Sequence, residues 1–116
     1  MRHWIVAFIV VISALTGSVA AHHGWGSYDA SRKFTIEAAV KHLQWQNPHV
    51  HIQLDYENAT WAIVLAPVSR MQLRGLSPEL IKEGTVVAAE GYPSRRIEHE
   101  MRAERISVGG KKYELR

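Results

Sequence analysis

The stretch HVHIQLDY, residues 49–56, alternates without a break. Val50, Ile52, Leu54 and Tyr56 fall on one side, and His49, His51, Gln53 and Asp55 on the other. A period of two marks a half-buried β-strand, because successive side chains leave a strand on opposite faces. ENA (57–59) has the composition of a turn, and TWAIVLA (60–66) returns as a nearly continuous apolar strand, as a central position requires. Pro67 ends it. Upstream, FTIEAAVK (34–41) alternates in the same way, with Phe34, Ile36, Ala38 and Val40 facing inward. In HLQWQ (42–46), Leu43 and Trp45 take over the apolar role with reversed parity, which is the effect of a β-bulge. Asn47-Pro48 then breaks the run, since proline has no donor for a sheet ladder.

Downstream, Ser69 is placed to cap a short helix over residues 70–74, closed by Gly75. SPELI (77–81) offers a further helical turn, with proline at a tolerated first position. A fourth strand is expected over 85–90, closed by Gly91-Tyr92-Pro93. Residues 101–108 and 111–115 then form a hairpin around Gly109-Gly110. Three strands, one short helix and two or three strands predict a mainly β chain. The order fits a small OB-like barrel of five to six strands, with the helix between strands 3 and 4. Closure removes exposed sheet edges, which matters for so short a domain. An open sandwich or meander with a helix laid on one face is the alternative.

The first residues read differently. MRHWIVAFIVVISALTGSVAA (1–21) has a basic start at Arg2, an apolar run of about twelve residues and then small side chains. That run is shorter than the roughly 20 residues that span a bilayer. The pattern is that of a secretory signal peptide over residues 1–20, cut after Ala20 or Ala21. Residues 21–33 follow as a flexible segment, and 34–116 as the barrel domain. Export to the periplasm or the medium is the expectation, with an uncleaved signal segment as the alternative and the only route to a membrane. Of 116 residues, 47% are hydrophobic, which suits one globular domain. A formal charge of +3, with Arg95-Arg96 and Lys111-Lys112 diluted by nearby glutamates, argues against a nucleic-acid partner. There are no cysteines, so disulfides, thiolate metal sites and a cysteine nucleophile are excluded. No nucleophile elbow, phosphate loop or dinucleotide fingerprint occurs, and no enzymatic activity is expected.

Seven histidines are many for such a chain. Cutting after Ala20 leaves Ala21-His22-His23 at the new terminus. Its amine, two deprotonated backbone amides and the third-position imidazole of His23 form a planar set of four nitrogens, suited to Cu(II) or Ni(II). Cutting after Ala21 leaves His22 first, so its amine and imidazole chelate together and need a further ligand. His49 and His51 supply candidates: two positions apart on one strand, they leave the same face with Cα atoms roughly 6.5–7 Å apart. His42 lies on the preceding strand. The candidate metal ligands are therefore His22, His23, His49 and His51, with copper or nickel as the ion. Zinc is disfavoured, because neither C-x-x-C nor H-x-x-x-H spacing occurs. In the competing reading the histidines are incidental, and the barrel is an accessory domain for a small ligand or a protein partner. Trp25, Trp45, Trp61 and Tyr92 are then candidates for an aromatic binding surface, although Trp61 reads first as core. Met71 and Met101 read as core fillers rather than thioether ligands.

The His-His start after the signal segment, the run LQWQNPHVHI (43–52) and the later GLSPELIKEGTVV (75–87) resemble a family of small exported bacterial proteins of unknown function. The resemblance covers essentially the whole mature chain. It differs at His22-His23-Gly24-Trp25, where the family has His-His-Ser and an aromatic residue. It implies export and an OB-like barrel, and it implies no established activity.

Overall fold

The computed structural model describes residues 24–116. The signal segment, its cleavage sites, His22 and His23 lie outside the described residues. Among the described residues, six strands and one helix follow in order: β1 (Phe34–Gln44), β2 (His51–Tyr56), β3 (Ala59–Val64), α1 (Val68–Leu73), β4 (Val86–Pro93), β5 (Glu100–Val108) and β6 (Lys111–Glu114). Short 3₁₀ turns occupy Trp25–Ser27 and Pro78–Ile81. Among the described residues no helix is long and apolar enough to cross a membrane.

The strands pair in the order β3-β2-β1-β4-β5-β6, and a second contact joins β3 to β5. That contact is parallel, Ala62 to Glu100, Ile63 to Met101 and Val64 to Arg102, and it closes five strands into a barrel. The open sandwich is thereby ruled out. One edge of β5 is shared along its length: residues 100–102 meet β3, and residues 105–108 meet β6. The sixth strand is thus an extension beside the seam, not a barrel stave. Gly109 and Gly110 both have positive φ (58° and 78°), the conformation a two-residue turn between twisted strands demands.

Side-chain alternation behaves as the sequence implies. Ile36, Ile52, Leu54, Ile63, Met101 and Ile106 are fully buried inside the barrel. Each such side chain contributes about 1.5–3 kcal/mol relative to exposure. The parity change in β1 is a real register shift, between Val40 and His42, and it lets Leu43 pair with Ile52. Val50 precedes β2 proper but still pairs with the chain after β3, its N–H donating to Ala66 O and its carbonyl accepting from Leu65 N–H, both at 2.8 Å.

Two local readings need correction. The helix starts at Val68 after Pro67, so Ser69 lies inside its first turn rather than capping it. The orphan N–H of Val68 instead donates to the side-chain Oδ1 of Asn47 at 3.0 Å. A residue from the β1–β2 loop does the capping, a partner no local pattern reveals. β4 also runs beyond Glu90 to Pro93, because a second register shift at Glu90/Gly91 bends the strand instead of ending it. Met71 from α1 and Ile81 from the following turn are fully buried and fill the core beside the barrel.

Candidate functional site

Four residues stand in one lateral row across the barrel: His51 on β2, Val64 on β3, Arg102 on β5 and Tyr92 on β4. Directly paired residues leave a sheet on the same side. Ile52 and Ile63, next to the row and fully buried, point into the core, so the row points outward. Even so, Val64 and Arg102 are only 4% and 7% exposed. Something covers them.

Part of the cover is the N-terminal segment. Trp25 lies over the Arg102 guanidinium, 4.3 Å from ring centroid to Cζ, with Arg116 at 4.5 Å from the same ring. Tyr92 meets that ring edge-on at 6.1 Å and 85°. Two cations against one indole is a favourable use of its electron-rich π system. Tyr28 is buried, pairs with Ser94 as an isolated bridge and donates its hydroxyl to Glu100 Oε2 at 3.0 Å. Asp29 N–H donates to Pro93 O at 2.9 Å and Arg95 N–H to Ser27 O at 3.0 Å. Residues 24–33, expected from sequence to be flexible, are thus tied at several points to the β4–β5 connection. Burial, aided by the Glu100 charge, pushes the Tyr28 hydroxyl above its ordinary range and keeps it a donor.

Arg102 is the centre of this face. Burial pulls its guanidinium below the usual arginine range, and the charges of Arg70 and Arg116 add to the effect. Arg70 Nη1 donates to Leu115 O at 3.4 Å, and Arg116 pairs with Glu104 at 3.6 Å. Arg102 Nη2 lies 3.5 Å from Nε2 of His49. A guanidinium carries donors only, so a hydrogen bond here engages the Nε2 lone pair.

The candidate metal ligands fare differently. His49 and His51 share this outer face, both partly buried. His42 is set apart from them by its ion-pair geometry with Glu83, Nδ1 to Oε1 at 3.5 Å. No cluster of three or more histidine, aspartate or glutamate ligands occurs among the described residues. Arg102, Arg70 and Arg116 were not legible as a group: they come from β5, α1 and the chain end, and only closure of the barrel gathers them. The sole sequence hint was Arg102 flanked by the apolar Met101 and Ala103 in an alternating strand.

A second feature lies at one end of the barrel, where β1 and β3 begin and β2 and β4 finish. Trp61 meets Phe34 at 5.3 Å, Tyr56 at 6.4 Å and His99 at 5.3 Å, with interplanar angles of 62–69°. Phe34, Tyr56 and Trp61 are partly buried and rest against the core. They line a cavity of about 450 Å³ with Arg32, Lys33 and Glu57. The Glu57 charge raises the Tyr56 phenol above its ordinary range, helped by a hydrogen bond between the two.

No curated protein matches the chain in sequence. Solved structures do resemble it. One is a complex of TiaS with an isoleucine tRNA and ATP, 14% identical over 70% of this chain and 19% of that one, with a TM-score of 0.51. Another is a ZRD-deleted TiaS bound to agmatine, 17% identical over 75% and 27%, also at 0.51. This chain therefore spans about a quarter or less of those proteins, and at such identity the likeness concerns the fold alone. At the family level, a profile matches residues 10–102. The chain belongs to that family of unknown function, DUF6152.

Proposed function

We propose that this is an exported metal-binding domain that takes Cu(II) or Ni(II) at its mature N-terminus, with a strand imidazole completing the site. One observation carries the reading: Trp25 is seated on Arg102, in the same row as His51 and in contact range of His49. His23 stands two residues before Trp25, so the chain limits their Cα separation to about 7 Å. Neighbouring strands lie ~4.8 Å apart, which sets His51 roughly 10 Å from Arg102 across Val64. The tether therefore gives the His-His pair reach of the face that carries HVH.

Electrostatics selects between the two cleavage sites. Arg102 and Arg116 against Trp25, with Arg70 in electrostatic range of Arg102, oppose a bare divalent cation. When Ala21 is first, two deprotonated amides cancel the charge of the ion, and the complex is neutral. Nearby guanidinium charges then favour amide deprotonation rather than opposing the metal. When His22 is first, no amide need ionise, and the full cationic charge faces the arginines. The reading therefore takes the cut after Ala20, with His23 supplying the imidazole of the four-nitrogen set and His51 a further donor. Either strand histidine joins by giving up a contact it already makes, which for His49 is the one with Arg102.

The experiment is a Cu(II) titration of the mature chain beginning at Ala21, followed by calorimetry. One equivalent is expected, weakened at least 100-fold by His23→Ala and severalfold by His51→Ala. Unchanged affinity in His23→Ala overturns the proposal.

A further inference from the structure

The aromatic end of the barrel is a feature separate from the Arg102 face. Phe34, Tyr56 and Trp61 occupy inward-facing positions of their strands, yet they leave a cavity of about 450 Å³, within the range of small-molecule pockets. The rings do not stack flat. Phe34 and Tyr56 stand at 62° and 69° to Trp61, and all three rings line the cavity. Aromatic faces set around a space attract a cation through their quadrupoles, and rings so arranged are the usual receptor for a quaternary ammonium group. Glu57 adds a carboxylate to the same lining.

Cationic side chains stand at the rim as well, and their pairing decides the ligand. Lys33 is neutralised by Glu90 at 3.1 Å and Glu104 at 3.4 Å. Arg32 is exposed at the cavity. A bare cation would meet its charge; a ligand with a cationic head and an anionic tail would use it. We infer that this mouth binds a zwitterionic quaternary ammonium compound, its head among Phe34, Tyr56 and Trp61 beside Glu57 and its anionic group on Arg32. His99 backs Trp61: its carbonyl accepts from Ala62 N–H at 2.9 Å while its ring abuts the indole.

Calorimetric titration with glycine betaine and with phosphocholine tests this. Saturable binding is expected for at least one, and 3,3-dimethylbutyrate, which replaces the charged nitrogen by carbon, is expected to bind at least tenfold more weakly. Arg32→Gln, at an exposed position, is expected to weaken the zwitterions and to strengthen choline, which no longer meets the guanidinium charge. Glu57→Gln is expected to weaken all the quaternary probes. Phosphatidylcholine vesicles separate the sources: binding to vesicles alone assigns a lipid headgroup, and binding to the soluble probes assigns a free solute. Absence of binding to every quaternary probe, or equal binding of the uncharged-head isostere, overturns the inference.

Discussion

At Gly91 the chain has no room for a side chain. A Cβ there would overlap the carbonyl of Arg102 and come within 2.7 Å of Ala103 Cα. These are backbone atoms of a paired strand, so they cannot move aside as a flexible side chain does. The register shift of β4 lies at this residue, and the close approach keeps β4 and β5 paired through the bend. Gly91→Ala is expected to destabilise the fold by about 3 kcal/mol or more, measured by urea denaturation with an unchanged slope. In the local sequence Gly91 reads as the end of a strand, because a glycine before Tyr-Pro looks like a stop. Its role in letting one backbone approach another depends on the neighbouring strand, which the local sequence does not specify. The histidines teach the same lesson. His42 faces Glu83, His49 faces Arg102, and His99 takes a positive φ of 56° and rests on Trp61.

Between elements, β4, β5 and β6 are laced by charge. Arg105 reaches Glu90 at 2.9 Å and Glu114 at 3.0 Å, while Lys33 reaches Glu90 at 3.1 Å. The hydrogen bond from Arg105 holds the Glu90 carboxyl below the ordinary carboxylate range, and Lys33 adds to it. A carboxyl depressed by folding binds its proton more readily in the unfolded chain. Its stabilisation is therefore complete above the ordinary carboxylate value and is lost as pH falls through the lower, folded one. The melting temperature is expected to hold from neutrality to about pH 5 and to drop below about pH 4. Glu90→Gln should flatten part of that acid limb and cost on the order of 1 kcal/mol at neutral pH. Calorimetric scans across pH check both. An acid limb unchanged in Glu90→Gln would contradict the assignment. The strands themselves were legible, since one face of each is core and the alternation records it. The helix start was not, because its cap, Asn47, arrives from another loop.

On the scale of the molecule, closure by β3 and β5 turns a strand order into a barrel. It places residues far apart in sequence in one row, His51, Val64, Arg102 and Tyr92, and lets Trp25 sit on that row. The barrel was legible because the helix falls between the third and fourth strands, the OB-type order. The strand half of the candidate site, His49 and His51 on one outer face, was legible from alternation. The arginines around it and the docking of Trp25 were not, since they depend on which strand edges meet. The central claim is that processing exposes the amine of Ala21 next to imidazoles seated on this face. The intact mass of the protein purified from its native host, recorded under native conditions after exposure to Cu(II), tests it most directly. The account predicts a chain beginning at Ala21 and carrying one copper ion. A chain that begins downstream of His23, or one beginning at Ala21 that carries no metal, would contradict it.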